Sequence, residues 1–133
     1  MPIYRIADFP CAVFGEGKKG EEREVRMLFA PELHNGDISF VSVVLRPGCT
    51  ADVHTHADSD EYMYFEKEGV AYLDGVRYDV AAHSIFQAPK GSAHACGNEG
   101  KEDINIICFF SPAIKPYGKF VDLIEKTKEY LKT

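Results

Sequence analysis

The sequence predicts an all-β domain closed by one C-terminal helix, and three observations predict it. Short runs rich in β-branched and aromatic residues recur at even spacing, separated by Gly, Pro and Asn-Gly turns. Asp74-Gly75 lies between two such runs, which is the signal of a type I′ hairpin. After Gly118 the period changes: Phe120, Leu123, Ile124, Thr127 and Leu131 fall at helical spacing, with Asp122 and Glu125 early and Lys126, Lys128 and Lys132 late, as the helix dipole favours. The strand pattern reads as a jelly roll, although periodicity alone leaves sandwich and barrel open. At 133 residues, 45% of them hydrophobic, the chain is one domain with room for its own core.

Residues 1–36 read as an N-terminal lead, broken by Pro10, Gly15, Gly17 and Gly20. Within it, 25–30 looks like an early strand that Pro31 stops. Asn35-Gly36-Asp37 is a turn, and His34 beside it reads as a surface residue. The barrel is expected over about 37–112. Its clearest strand is 38–45, apolar on both faces from Val43 onward and therefore covered on both sides. Runs 70–73 and 76–80 form the Asp74-Gly75 hairpin, 84–88 leads into Pro89, and 104–110 is the last long strand, ended by Ser111-Pro112. The helix, about 118–132, is expected to pack on the outside of the barrel.

Charge and composition exclude several classes of function. Twenty-one acidic residues against fifteen basic give a formal charge of −6, with no basic run. That is a poor match to nucleic acid or to an anionic membrane surface. No apolar run approaches the roughly 18 residues of a spanning helix. The first residues lack a positive segment followed by an apolar one, so the expectation is a cytoplasmic protein. The four cysteines, Cys11, Cys49, Cys96 and Cys108, form no Cys-x-x-Cys element and read as reduced thiols. Cys108, inside an apolar run, reads as a small buried residue.

The stretch from Gly48 to Gly69 carries the chemistry. His54 and His56 are separated by one residue, so a strand points both the same way. A polar turn over 57–60 leads to a returning strand that begins at Glu61. Such a hairpin brings two imidazoles and a carboxylate to one point, the facial ligand set of non-haem iron and related metals. The same His-x-His is also what an exposed polar strand face looks like. A second segment, Pro89-Lys90-Gly91-Ser92-Ala93-His94, adds a third histidine just after a tight turn. Asp58 and Asp60 read as solvated turn residues.

At these residues the sequence resembles the cupin family. Gly48, His54, His56 and Glu61 match its first motif, with Gly69 one residue late. Pro89, Gly91, His94 and Asn98 match its second, in which His83 stands where the family has Gly. The resemblance implies a double-stranded β-helix (jelly-roll) barrel. It also implies that His54, His56, Glu61 and His94 bind one divalent metal ion: iron, manganese, nickel, copper or zinc. Four ligands leave an octahedral ion two open positions for a small chelating molecule. Met63 and Phe65, in phase with Glu61, are expected to line the pocket, with Phe40 and Phe86 from facing strands and Cys96 in phase with His94.

Two functions follow. One is a metal-dependent enzyme performing isomerase, lyase or oxygenase chemistry on a small oxygen-rich substrate. The other is a binding module that holds a small ligand, with the metal structural or absent. The double-sided apolar strand 41–45, the apolar residues Ile3-Tyr4 and the run 104–110 predict a homodimer. His83 predicts a left-handed or rebuilt turn.

Overall fold

A computed structural model describes residues 3–34 and 36–133. Asn35, part of the expected turn before the third strand, lies outside the described residues. After a short 3-10 turn over Ile6–Asp8, the elements are β1 (Ala12–Phe14), β2 (Arg23–Phe29), β3 (Ser39–Leu45), β4 (Asp60–Phe65), β5 (Gly69–Leu73), β6 (Val76–Val80), β7 (Ser84–Ala88), β8 (His94–Gly97), β9 (Ile104–Ser111) and α1 (Lys119–Leu131). The strands form a six-stranded sheet in the order β1-β2-β3-β9-β4-β7 and a three-stranded sheet in the order β6-β5-β8, antiparallel throughout. This is the jelly-roll barrel. No helix among the described residues is long and apolar enough to cross a membrane.

The segment read as a lead contributes two strands to the larger sheet. β1 is only three residues long, too short for an alternation pattern, and it pairs Val13 with Glu24 on β2. β2 pairs with β3 through a bulge between Met27 and Phe29, which leaves Leu28 buried. The Asp74-Gly75 turn has positive φ at both residues (48° and 83°), so the type I′ hairpin forms where its dipeptide predicted. His83 adopts φ 61°, keeping the left-handed turn, and its Nδ1 is 2.7 Å from the Tyr64 hydroxyl.

The core lies between the sheets. Phe65, Leu45, Ile106, Val25 and Met27 are all at most 2% exposed. The outward face of β3 is partly covered by the chain itself, with Phe40 packing edge-on against Phe29 (5.5 Å) and Phe109 (4.5 Å). α1 buries Phe120, Leu123, Ile124 and Thr127, the stripe its spacing predicted, against β1 and β2. His34 corrects the surface reading. Its backbone N–H donates to the Ala30 carbonyl, turning the ring onto Phe29 at 4.5 Å, and Nδ1 is buried without a partner among the described residues.

Candidate metal centre

The His54-x-His56 segment is not the regular strand that alternation assumes. It runs antiparallel beside β8, but with one residue too many. The Ala51 N–H donates to the Cys96 carbonyl, while His54 and His94 exchange both backbone hydrogen bonds. Three steps on one chain thus span two on the other. This is a bulge, and it leaves Val53 in solvent. It also turns the Asp52 carbonyl to within 2.9 Å of His54 Nδ1. The chain regains pairing at His56, whose carbonyl accepts from the Gly91 N–H. Gly91 has φ 80°, a conformation that a residue with a Cβ adopts only with strain. The Pro-x-Gly turn therefore ties the two motif segments together.

The four side chains converge. His54, His56, Glu61 and His94 each offer a ligand atom, all within 4.8 Å of one another. Two histidines are oriented from behind by backbone. His54 Nδ1 faces the Asp52 carbonyl, and His94 Nδ1 lies 3.1 Å from the Ser92 carbonyl. A carbonyl only accepts, so each Nδ1 carries a proton and each Nε2 is left to face the cluster. Glu61 comes from β4, where register pairs it with Phe110 on β9 and Ala88 on β7. Phe110 stands against the His56 ring at 5.0 Å.

The electrostatics suit a cation. Glu61 Oε1 is 2.8 Å from His94 Nε2. It is 3.3 Å from His56 Nε2, which is buried, lies off the hydrogen-bonding direction and has no partner among the described residues. Burial by itself would push the Glu61 carboxyl up, but the two imidazoles outweigh it and hold the group down at about 2. Burial likewise works to lower His94, but the contact with Glu61 prevails and raises it. His54 is lowered by burial, against the pull of the Asp52 carbonyl. An orphaned nitrogen, two histidines whose Nδ1 is held by a backbone carbonyl and a carboxylate kept charged down to low pH fit a divalent ion.

The cluster opens on a cavity of about 350 Å³. Met63 and Cys96 lie in its wall, and their sulfurs are 3.3 Å apart. Burial pushes the Cys96 thiol up, so it is a poor thiolate. Three expected lining residues are placed elsewhere. Phe65 shares the face of Glu61 but lies two pleat repeats further along β4, in the solid core at 0% exposure. Phe40 is on the face of β3 opposite Val41 and Val43, which do line the cavity. Phe86 sits on β7 at the sheet edge and leans toward Tyr78, at 6.3 Å.

Sequence reasoning missed the cavity mouth. Phe14, Arg23, Tyr117 and Phe120 also line the cavity, and Phe14 meets Phe120 edge-on at 4.8 Å. Arg23 bonds Asp52 at 2.8 Å and the Glu21 carbonyl at 3.1 Å. Asn98 is a staple rather than a ligand, joining the Leu45 and Glu102 carbonyls through its amide.

Known proteins agree with this architecture. A protein from Thermotoga maritima named "Oxalate-binding protein" is 27% identical over 92 residues, 68% of this chain and 76% of that protein. A crystal structure from the same organism, described as a predicted oxalate decarboxylase, superposes with a TM-score of 0.72 at 22% identity, covering 81% of this chain and 96% of the other. A cupin 2 conserved barrel domain protein from Rhodopseudomonas palustris gives 0.67 at 13% identity over 92% of this chain and 88% of its own. The Cupin domain family model matches residues 41–110, just over half of the sequence and both histidine segments, and the chain therefore belongs to the cupin family.

Proposed function

We propose that this cupin binds one divalent metal ion through Nε2 of His54, His56 and His94 and a carboxylate oxygen of Glu61, and acts on a small oxygen-rich organic acid that chelates the ion. The observation that carries the reading is the buried Nε2 of His56, which has no hydrogen-bond partner among the described residues, within a cluster whose other two imidazoles have Nδ1 committed to backbone carbonyls. When bound, the ion would act as a Lewis acid toward the chelated oxygens. The chain's own groups hold the ligands, keep Glu61 charged and exclude water from the apolar wall. The relative named as oxalate-binding supports a carboxylate as the chelating group.

A second reading, a small-ligand binder without turnover in which the metal is structural or absent, is favoured by one observation. The inner wall is built from residues such as Val41, Leu45, Met63 and Ile106 and offers few proton-transfer groups besides the ligands themselves. Metal content by mass spectrometry for wild type, His56→Ala, His94→Ala and Glu61→Gln tests the site. Metal in wild type and a loss of about tenfold or more in each variant is expected; equal metal in all four sinks it. An activity screen of the loaded protein then separates enzyme from binder.

We also infer a homodimer, supported by the exposed apolar residues Val76, Tyr78 and Ile85 on the edge strands β6 and β7. Sedimentation at micromolar concentration showing only a 14.9 kDa species overturns it.

A further inference from the structure

We propose that the acid this site takes is a 2-oxo or 2-hydroxy monocarboxylic acid with a branched or aromatic apolar body, larger than oxalate and less polar than a sugar acid. The inference rests on the metal-centre reading above and adds the class of ligand.

Volume is the first argument. A two-carbon diacid on the ion would leave most of the 350 Å³ cavity unfilled, and that volume is in the range of about 300–1,000 Å³ found for sites that enclose drug-sized ligands. The wall is the second. Beyond the ligands, the inner surface is formed by buried Val25, Val41, Leu45, Met63, Ile106 and Phe110, each at most 3% exposed. Hydroxyls or a second carboxylate set against that apolar part of the wall would lose their hydration without gaining partners; the polar lining residues Lys18, Glu21, Asp52, Tyr117 and Lys119 are all partly or fully exposed. A branched alkyl or phenyl group would exchange water for apolar contact.

The third argument is the commitment of the inner cation, since Lys18, which also lines the cavity, is exposed to solvent. Arg23 is the charged group nearest the interior, with 13% of its side chain exposed, and it is already held by Asp52 and the Glu21 carbonyl. A distal carboxylate would have to compete with Asp52 for it. Lys119 stands at the exposed mouth and is bonded to the Val13 carbonyl and Glu16. The chelating end of the acid therefore meets the ion, and its body meets hydrocarbon.

The test uses the full chain reconstituted with Co²⁺, with cobalt content measured first. Pyruvate, 4-methyl-2-oxopentanoate, oxalate and gluconate are titrated while the visible cobalt spectrum and the heat of binding are followed. The branched acid should bind more tightly than pyruvate by about tenfold or more, as burial of its extra methylene and methyl groups predicts, and should outbind oxalate and gluconate. Cobalt retained with pyruvate, oxalate or gluconate equal to or tighter than the branched acid overturns this inference and leaves the metal-centre reading standing. Failure to hold cobalt overturns both. Val43→Phe, which narrows the cavity from β3, should shrink the branched-acid preference to about threefold or less; an unchanged ratio also overturns the inference.

Discussion

Glu61 and Met63 are two residues apart on one face of β4, and both are buried, at 4% and 2% exposure. They follow opposite rules. Met63 is part of the apolar cluster that runs from Phe65 through Ile106 to Leu45, where each buried group adds to stability by leaving water. Glu61 belongs to a polar knot whose burial is unfavourable by itself and is offset by the two imidazoles that hold its charge. The apolar region makes the barrel, and the barrel forces the four ligands together. Site and fold are therefore separable in one direction only: the knot can be emptied while the barrel stands, but unfolding of the barrel removes both.

The sharpest way to break that contrast is at Phe65. Phe65→Ala leaves a cavity in the solid core and should cost about 3–5 kcal/mol, read from urea unfolding, while the protein that remains folded keeps the metal proposed for the site. Loss of metal from the folded fraction would mean that core and site are not distinct.

Next in size is Glu61→Gln in metal-free protein. The carboxyl titrates at about 2 in the fold against 4.5 ordinarily. Its contribution is thus fully present above pH 4.5 and is lost as pH falls through 2. Wild type should lose on the order of 3 kcal/mol over that window, from about 1.4 kcal/mol per pH unit, and the Gln variant should lose that much less. Parallel urea titrations at pH 5.5 and pH 2 in the presence of a chelator give the difference; equal slopes would remove Glu61 from the account.

Gly69→Ala sharpens the packing side. A Cβ there would lie 2.7 Å from Phe65 Cε2 and 3.1 Å from Ile104 Cδ1, so a packed ring must shift. A cost of roughly 1–3 kcal/mol is expected, seen as a lower melting temperature at unchanged metal content. The smallest effect should be at His83. His83→Gly relieves a positive φ but loses the Tyr64 hydrogen bond, so the two terms nearly cancel, within about 1 kcal/mol. Thermal unfolding of His83→Gly beside His83→Ala, which keeps the strain and loses the bond, separates them.

Local signals were the ones that could be read from the sequence. His54, His56, Glu61 and His94 lie in two short segments whose turns carry their own Gly and Pro, so their convergence follows from nearby geometry. The Asp74-Gly75 hairpin and the α1 stripe were legible for the same reason. The cavity was not. Phase along a strand tells which face a residue occupies, but not how deep it lies, and so Phe65 fell into the core and Phe86 to the sheet edge. Nor does phase show which face of β3 is inward, and Phe40 fell on the outer one. The bulge at Asp52 and Val53 left no mark, because no Gly occupies it. Phe14, Arg23 and Phe120 reach the mouth only through tertiary packing, and no neighbouring residue signals that.

The mouth has one further consequence, for the order in which the molecule assembles. The bonds from Lys119 to the Val13 carbonyl and from Thr127 to the Met27 carbonyl join residues 106 and 100 positions apart. Hairpins such as β5–β6 close over two residues. Contacts between distant parts of a chain carry the largest closure entropy and are slow to form. The helix is therefore expected to dock last, onto a barrel that already holds its ligand set, and to be the first element to lift under native conditions. Amides of α1 should then exchange with deuterium sooner than those of β3 and β9.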